Sequence, residues 1–202
     1  MNIDTVIDFK PKMSINQYIF GTSDDKFFSS TQIKDEVDDV LNKIPRVVTN
    51  LVVNQGYKII VTNTQNLEEK YHIDYEVLSM ADYDAKEIIV YATPLAISTL
   101  PHEIGHIIDN SLNQISCTQD WLDLCGEYKS RIETVVKNAT KNYAYFTSTD
   151  PTEFFCDCFL TYVMRMDLLN AEFPTIVPVF DRIIQVLKYD DALTVQEEHS
   201  YG

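Results

Sequence analysis

The string His102-Glu103-Ile104-Gly105-His106 constrains this chain more than any other feature, because its chemistry depends on a helix. On a helix, residues four apart lie one above the other on the same face. Two imidazoles can then reach one metal ion while the intervening Glu103 points to a water on that metal, the H-E-x-x-H geometry of zinc peptidases. The surrounding pattern agrees. Ile97, Leu100, Ile104 and Ile107 or Ile108 recur at helical spacing, Ser98 or Thr99 is available as a cap, and Pro101 is tolerated in a first turn. The string also uses two of only four histidines. The bland alternative is a pair of helix-surface histidines beside a glutamate.

A catalytic zinc usually takes three protein ligands and leaves a fourth position to water, so a third ligand is needed. His199 sits in a tail expected to fray, and His72 precedes the motif in a loop. Glu153 is better placed, in the first turn of a strongly patterned helix, with Asp157 one turn further on the same face. Taken singly, Glu153 could be only a carboxylate favoured by the helix dipole. Asp109, one turn beyond His106, can accept a hydrogen bond from a ligating imidazole and fix its orientation, or can simply be an exposed polar residue. Gly105 would let the helix bearing Glu153 approach closely.

The rest of the chain reads as mainly helical with a small sheet. Residues 31–42 describe an amphipathic helix, and Val47 to Val53 are read as a second helix although their β-branched content favours a strand. Tyr57 to Thr62 and Glu87 to Tyr91 look like buried strands, with a short helical candidate at Leu67 to Tyr71 and a polar stretch through Asp82-Tyr83-Asp84 between them. A helix from Gln119 to about Val136 has Trp121, Leu122, Leu124, Tyr128, Ile132 and Val135 as its apolar face, followed by an irregular stretch from Asn138 to Ser148. Asp150, Pro151 and Glu153 make a good helix start, with Phe155, Phe159, Tyr162 and Met166 as the stripe beyond it. Pro174 opens or interrupts a last helix through Leu187, and flexible ends are expected at about 1–10 and 190–202.

At 202 residues the chain has the length of one domain. A formal charge of −15, from 31 acidic and 16 basic side chains, would repel phosphate backbones and anionic lipid, which argues against nucleic acid as a partner. No apolar run approaches the roughly 20 residues of a membrane span. The N-terminus lacks the basic and apolar regions of a secretory signal, so the chain as it stands reads as cytoplasmic, or as secreted if a leader has been trimmed. Cys117, Cys125, Cys156 and Cys158 lack C-x-x-C spacing and read as reduced, with a Cys117–Cys125 disulfide as the competing possibility on export.

The pairing of HEIGHIID (His102 to Asp109) with TEFFCDCF (Thr152 to Phe159), followed by FPTIVPVFDRIIQVL near the C-terminus, resembles the catalytic domain of the anthrax lethal factor family. The clostridial Pro-Pro endopeptidases belong to the same group. Its first string is H-E-x-G-H-x-x-D, and its second resembles E-F-F-A-E-A-F, whose first Glu is the third zinc ligand. The resemblance implies a compact α+β, mainly helical zincin (gluzincin-like) fold, with substrate in a cleft between two lobes. It implies Zn2+ held by His102, His106 and Glu153, Glu103 as general base, and a peptide or protein substrate cut by an endopeptidase. The sequence leaves the oligomeric state open, with a monomer favoured. Asp157 stands where the family has a second Glu, so a hydrogen bond behind the ligands must be rearranged. The family's oxyanion tyrosine falls at Phe146, with Tyr145 and Tyr143 beside it, and a one-residue insertion around Pro151 would restore Tyr145 to that role. An extended substrate could pair with a strand such as Glu87 to Tyr91. The competing expectation is a catalytically impaired zinc-binding interaction module that has kept the fold.

Overall fold

The computed structural model describes residues 5–8, 30–62, 78–137 and 145–200, with side chains described over 32–62, 78–137 and 145–189. The helical candidate at Leu67 to Tyr71, His72, Tyr143 and most of the stretch from Asn138 lie outside these residues. The architecture is α+β and mainly helical. Its residues group into two compact units: Met1–Ile44 with Val52–Ile104, and Pro45–Leu51 with Gly105–Gly202.

The first unit carries a four-stranded sheet in the order β1-β2-β4-β3, formed by β1 (Thr5–Asp8), β2 (Lys58–Thr62), β3 (Ser79–Asp82) and β4 (Glu87–Tyr91). β2 and β4 run parallel, Ile59 opposite Ile88 and Val61 opposite Val90, while β1 and β3 flank them antiparallel. The two central strands bury successive residues, as strands covered on both faces do. β3 was not anticipated, because Ser-Met-Ala-Asp carries no β-branched signal. It is drawn into the sheet by the turn that follows, in which Asp82 Oδ1 accepts from the amides of Asp84 and Ala85 and Lys86 adopts φ 57°.

Helix α1 (Ser30–Leu41) buries Ile33, Val37, Val40 and Leu41 at three- and four-residue spacing and packs on α3 (Pro94–Ser98). α2 (Arg46–Asn54) is a helix despite its four valines, because Val48 and Val52, one turn apart, are both fully buried. The single helix expected from Ile97 onward is divided. α3 is capped by Thr93, whose hydroxyl accepts from Ala96 N, and ends at Thr99, and α4 (Leu100–Ser111) then begins. Ile97, Leu100 and Ile104 are buried across the break, so the periodicity survives while the hydrogen-bond ladder does not. The two units meet in sequence within α4, after Ile104.

In the second unit a 3-10 turn (Ile115–Cys117) precedes α5 (Gln119–Lys137), α6 (Pro151–Met164), α7 (Met166–Glu172) and α8 (Val177–Ser200). Trp121 and Ile132 carry the buried face of α5, whereas Leu122 is exposed, being about 100° round the helix from Trp121. Trp121 Nε1 donates to Pro151 O at 2.9 Å and fixes the start of α6. The stripe expected on α6 stops at Met164: Met166 opens α7 and is exposed. The last helix begins at Val177, three residues after Pro174, and its backbone continues to Ser200, through the region expected to fray.

Candidate metal centre

α4 starts where Thr99 O accepts the amides of His102 (2.8 Å) and Glu103 (3.4 Å), with Pro101 at the second residue, where no amide is needed. This sets His102 and His106 one turn apart, both half-buried, and Glu103 on a buried flank. Ser79 Oγ, at the start of β3, donates to Glu103 Oε1 at 2.7 Å and lies 2.6 Å from Thr99 Oγ1. Ser79 gives its single proton to Glu103, and Thr99 Oγ1 gives its own to Ala96 O at 2.7 Å. One oxygen of Glu103 is thus fixed by the Ser79 hydroxyl.

α6 is placed by its cap. Asp150 Oδ1 accepts from Thr152 N and Glu153 N at 2.9 and 3.2 Å, and Pro151 occupies the first helical position. A Cβ built on Gly105 would stand 3.0 Å from Cys156 Cα and 3.3 Å from its Sγ, so the glycine is what allows α4 and α6 to touch there. His102, His106 and Cys156 each offer a ligand atom, and these atoms lie within 4.8 Å of one another. Beside them Glu153 Oε1 is 3.6 Å from His106 Nε2, too far for a hydrogen bond. It is close to the spacing of about 3.3–3.6 Å that tetrahedral geometry gives two donors of one zinc ion. Two imidazoles, a thiol and a carboxylate form a set suited to zinc, a borderline-soft ion, so the residues present fit the expected metal.

Cys156 is the residue that the sequence reading missed. Its signal was available, since Glu153 and Cys156 stand three apart on one helix face. The other cysteines are free: Cys158 is buried, Cys125 is half-buried and Cys117 is exposed, with no Cys117–Cys125 bond. Burial, then Asp157 and Cys125, pushes the Cys158 thiol well up, and burial with Asp150 pushes that of Cys125 up to about 11. Both are therefore inert thiols near neutrality.

The two carboxylates expected behind the ligands are buried and bind hydroxyl-bearing loops. Asp109 takes Ser116 N on Oδ1 and Ser116 Oγ on Oδ2, each at 2.7 Å. Ser116 Oγ lies 3.0 Å from Thr152 Oγ1, so Asp109 reaches the start of α6 through Ser116, because the 3-10 turn folds back over the end of α4. Asp157 Oδ2 accepts from Thr147 N (2.6 Å) and Thr147 Oγ1 (3.1 Å), pinning the segment that carries Tyr145. Within that segment the two aromatics part. Phe146 is buried against Phe154 and Phe173, while Tyr145 is half-buried, with Arg165 Cζ 6.0 Å from its ring centroid. Phe146 is therefore a core residue. Among the described residues no helix is long and apolar enough to cross a membrane. No protein-family model matches the chain, and no curated protein matches it.

Proposed function

We propose that the chain is a zinc-dependent endopeptidase of the lethal-factor-like, zincin type, with His102, His106 and Glu153 around the metal and Glu103 as general base. The observation that carries this reading is the meeting of metal donors around a helix that also bears a buried, hydroxyl-anchored glutamate. Bound Zn2+ would supply Lewis acidity toward a peptide carbonyl and toward water. Glu103 takes the proton of the attacking water and returns it to the leaving amine. Fixing its Oε1 on Ser79 leaves Oε2 for that transfer and limits the rotamers of the side chain. Tyr145, and not Phe146, supplies the phenol for a developing oxyanion. The fold this requires places substrate in a cleft between two lobes.

An extended peptide cannot pair with β4, which already has β2 on one side and β3 on the other. Among the described residues β3 lies at the edge of the sheet, and its outer edge takes that role instead; its first residue, Ser79, holds Glu103. An acidic chain of formal charge −15 favours neutral or basic peptide segments.

A second reading, a zinc-binding interaction module without turnover, is favoured by Cys156, because a site filled by four protein donors is of the structural kind. The test is cleavage of a diverse peptide library by zinc-loaded protein and by Glu103→Ala, with metal content measured in both. Cleavage by the first alone is expected, with at least a hundredfold loss in the variant, as general-base removal gives. Equal cleavage by both would overturn the role of Glu103, and no cleavage by either with zinc bound would favour the module.

A further inference from the structure

Resting on the zinc-peptidase reading, we infer that Cys156 is itself a metal ligand, forming the inner set with His102 and His106, and that Glu153 is the outer, exchangeable one. The three inner ligand atoms lie within 4.8 Å of one another. Glu153 stands beside this group, 3.6 Å from His106 Nε2, with a side chain 43% exposed against 16% for His106.

Three features make Cys156 the firmer donor. It is fully buried, so its sulfur cannot be drawn away by water as the Glu153 carboxylate can. Its position is fixed by the close approach at Gly105, where no side chain can stand. Thiolate is also the ligand that selects zinc over hard cations such as Mg2+ or Ca2+. Binding breaks the S–H bond of Cys156, the sulfur keeps the electron pair and donates it to the ion, and the proton leaves to solvent; no electrons are transferred. Were all four residues to hold the ion, protein donors would fill the site; release of the more exposed Glu153 carboxylate would leave a place for water while Cys156, His102 and His106 held the metal.

The experiment loads the full chain with Zn2+ for X-ray absorption and with Co2+ for optical spectra, and compares wild type, Cys156→Ala and Glu153→Gln. Expected for wild type are a sulfur neighbour at about 2.3 Å from zinc and a thiolate-to-cobalt charge-transfer band. Both vanish in Cys156→Ala and persist in Glu153→Gln, and zinc affinity falls at least tenfold further in the first variant than in the second. Should Cys156→Ala not fold, Cys156→Ser keeps the volume and carries the same comparison. A sulfur neighbour that survives loss of Cys156 would assign the signal to another cysteine and overturn the inference. Zinc bound by wild type without sulfur would also overturn it while leaving the His102, His106 and Glu153 set standing. Failure of wild type to bind zinc would remove the peptidase reading as well.

Discussion

In the strand-bearing unit the fully buried side chains are aliphatic and mostly β-branched, with Ile59, Ile88 and Val90 along the sheet and Val37, Ile97 and Leu100 on the helices. In the helical unit the largest of them are rings, beside smaller ones such as Ile107, Ile108, Leu169 and Ile176. Phe154 packs on Trp121, Phe146 and Phe173, and Phe180 packs on Phe155, Phe159 and Tyr162, with centroids 5.1–6.0 Å apart. An aliphatic layer is built by neighbours two or four residues apart and announces itself as periodicity. A ring web joins Trp121, Phe146, Phe154 and Phe173, which no short period connects, and it concentrates more buried area in fewer residues. The two regions also use their buried carboxylates differently. Glu103 is held by the Ser79 hydroxyl within the strand-bearing unit, whereas Asp109 and Asp157 of the helical unit hold the loops on either side of α5.

The contrast can be broken by substitution. Phe154→Ala should cost about 3–5 kcal/mol, as truncation of a buried ring does, and Ile60→Val only about 0.5–1.5 kcal/mol. Denaturant melts of the two variants test this, and similar losses would mean that the ring web is not where stability is concentrated. Gly105→Ala is expected to cost about 1–3 kcal/mol by overpacking against Cys156 and to weaken metal binding with it. Unchanged melting and affinity would show that α4 and α6 can part at no cost. Asp150→Ala removes the cap of α6 and should cost about 1 kcal/mol, measurable as a lower melting temperature.

The smallest effect is confined to alkaline pH. Burial, and then the hydroxyl it donates to Asp181 Oδ1 at 2.8 Å, pushes the Tyr162 phenol from 10.0 up to about 12. Between these values the unfolded chain has lost this proton and the folded chain still holds it. The contribution of Tyr162 is therefore complete below pH 10 and is lost as pH rises toward 12. Tyr162→Phe should flatten that part of the stability profile, and an unchanged slope would assign the alkaline loss to other groups.

Much of the fold was legible for a local reason. α1, α2, α5, β2 and β4 fall where spacing put them, and Asp150, Pro151 and Glu153 start α6 as their residue types require. The break at Thr99 was not legible, because Ile97, Leu100 and Ile104 keep helical spacing across it while the Thr99 hydroxyl turns to Ala96 O and Ser79. Nor was β3, which is strand only because β4 accepts it at the edge of the sheet.

The sequence by itself determined that His102, Glu103 and His106 share a helix, since the separation of one turn is a property of the α-helix and needs no partner. Tertiary structure alone decided what meets that helix: Cys156 against Gly105, Ser79 on Glu103, Ser116 on Asp109 and Thr147 on Asp157. All but one of those pairs join residues at least 10 apart, and the exception, Ser116 with Asp109, spans seven. Such contacts leave no period in the chain, because they are chosen by which surfaces pack and not by the repeat of any one element.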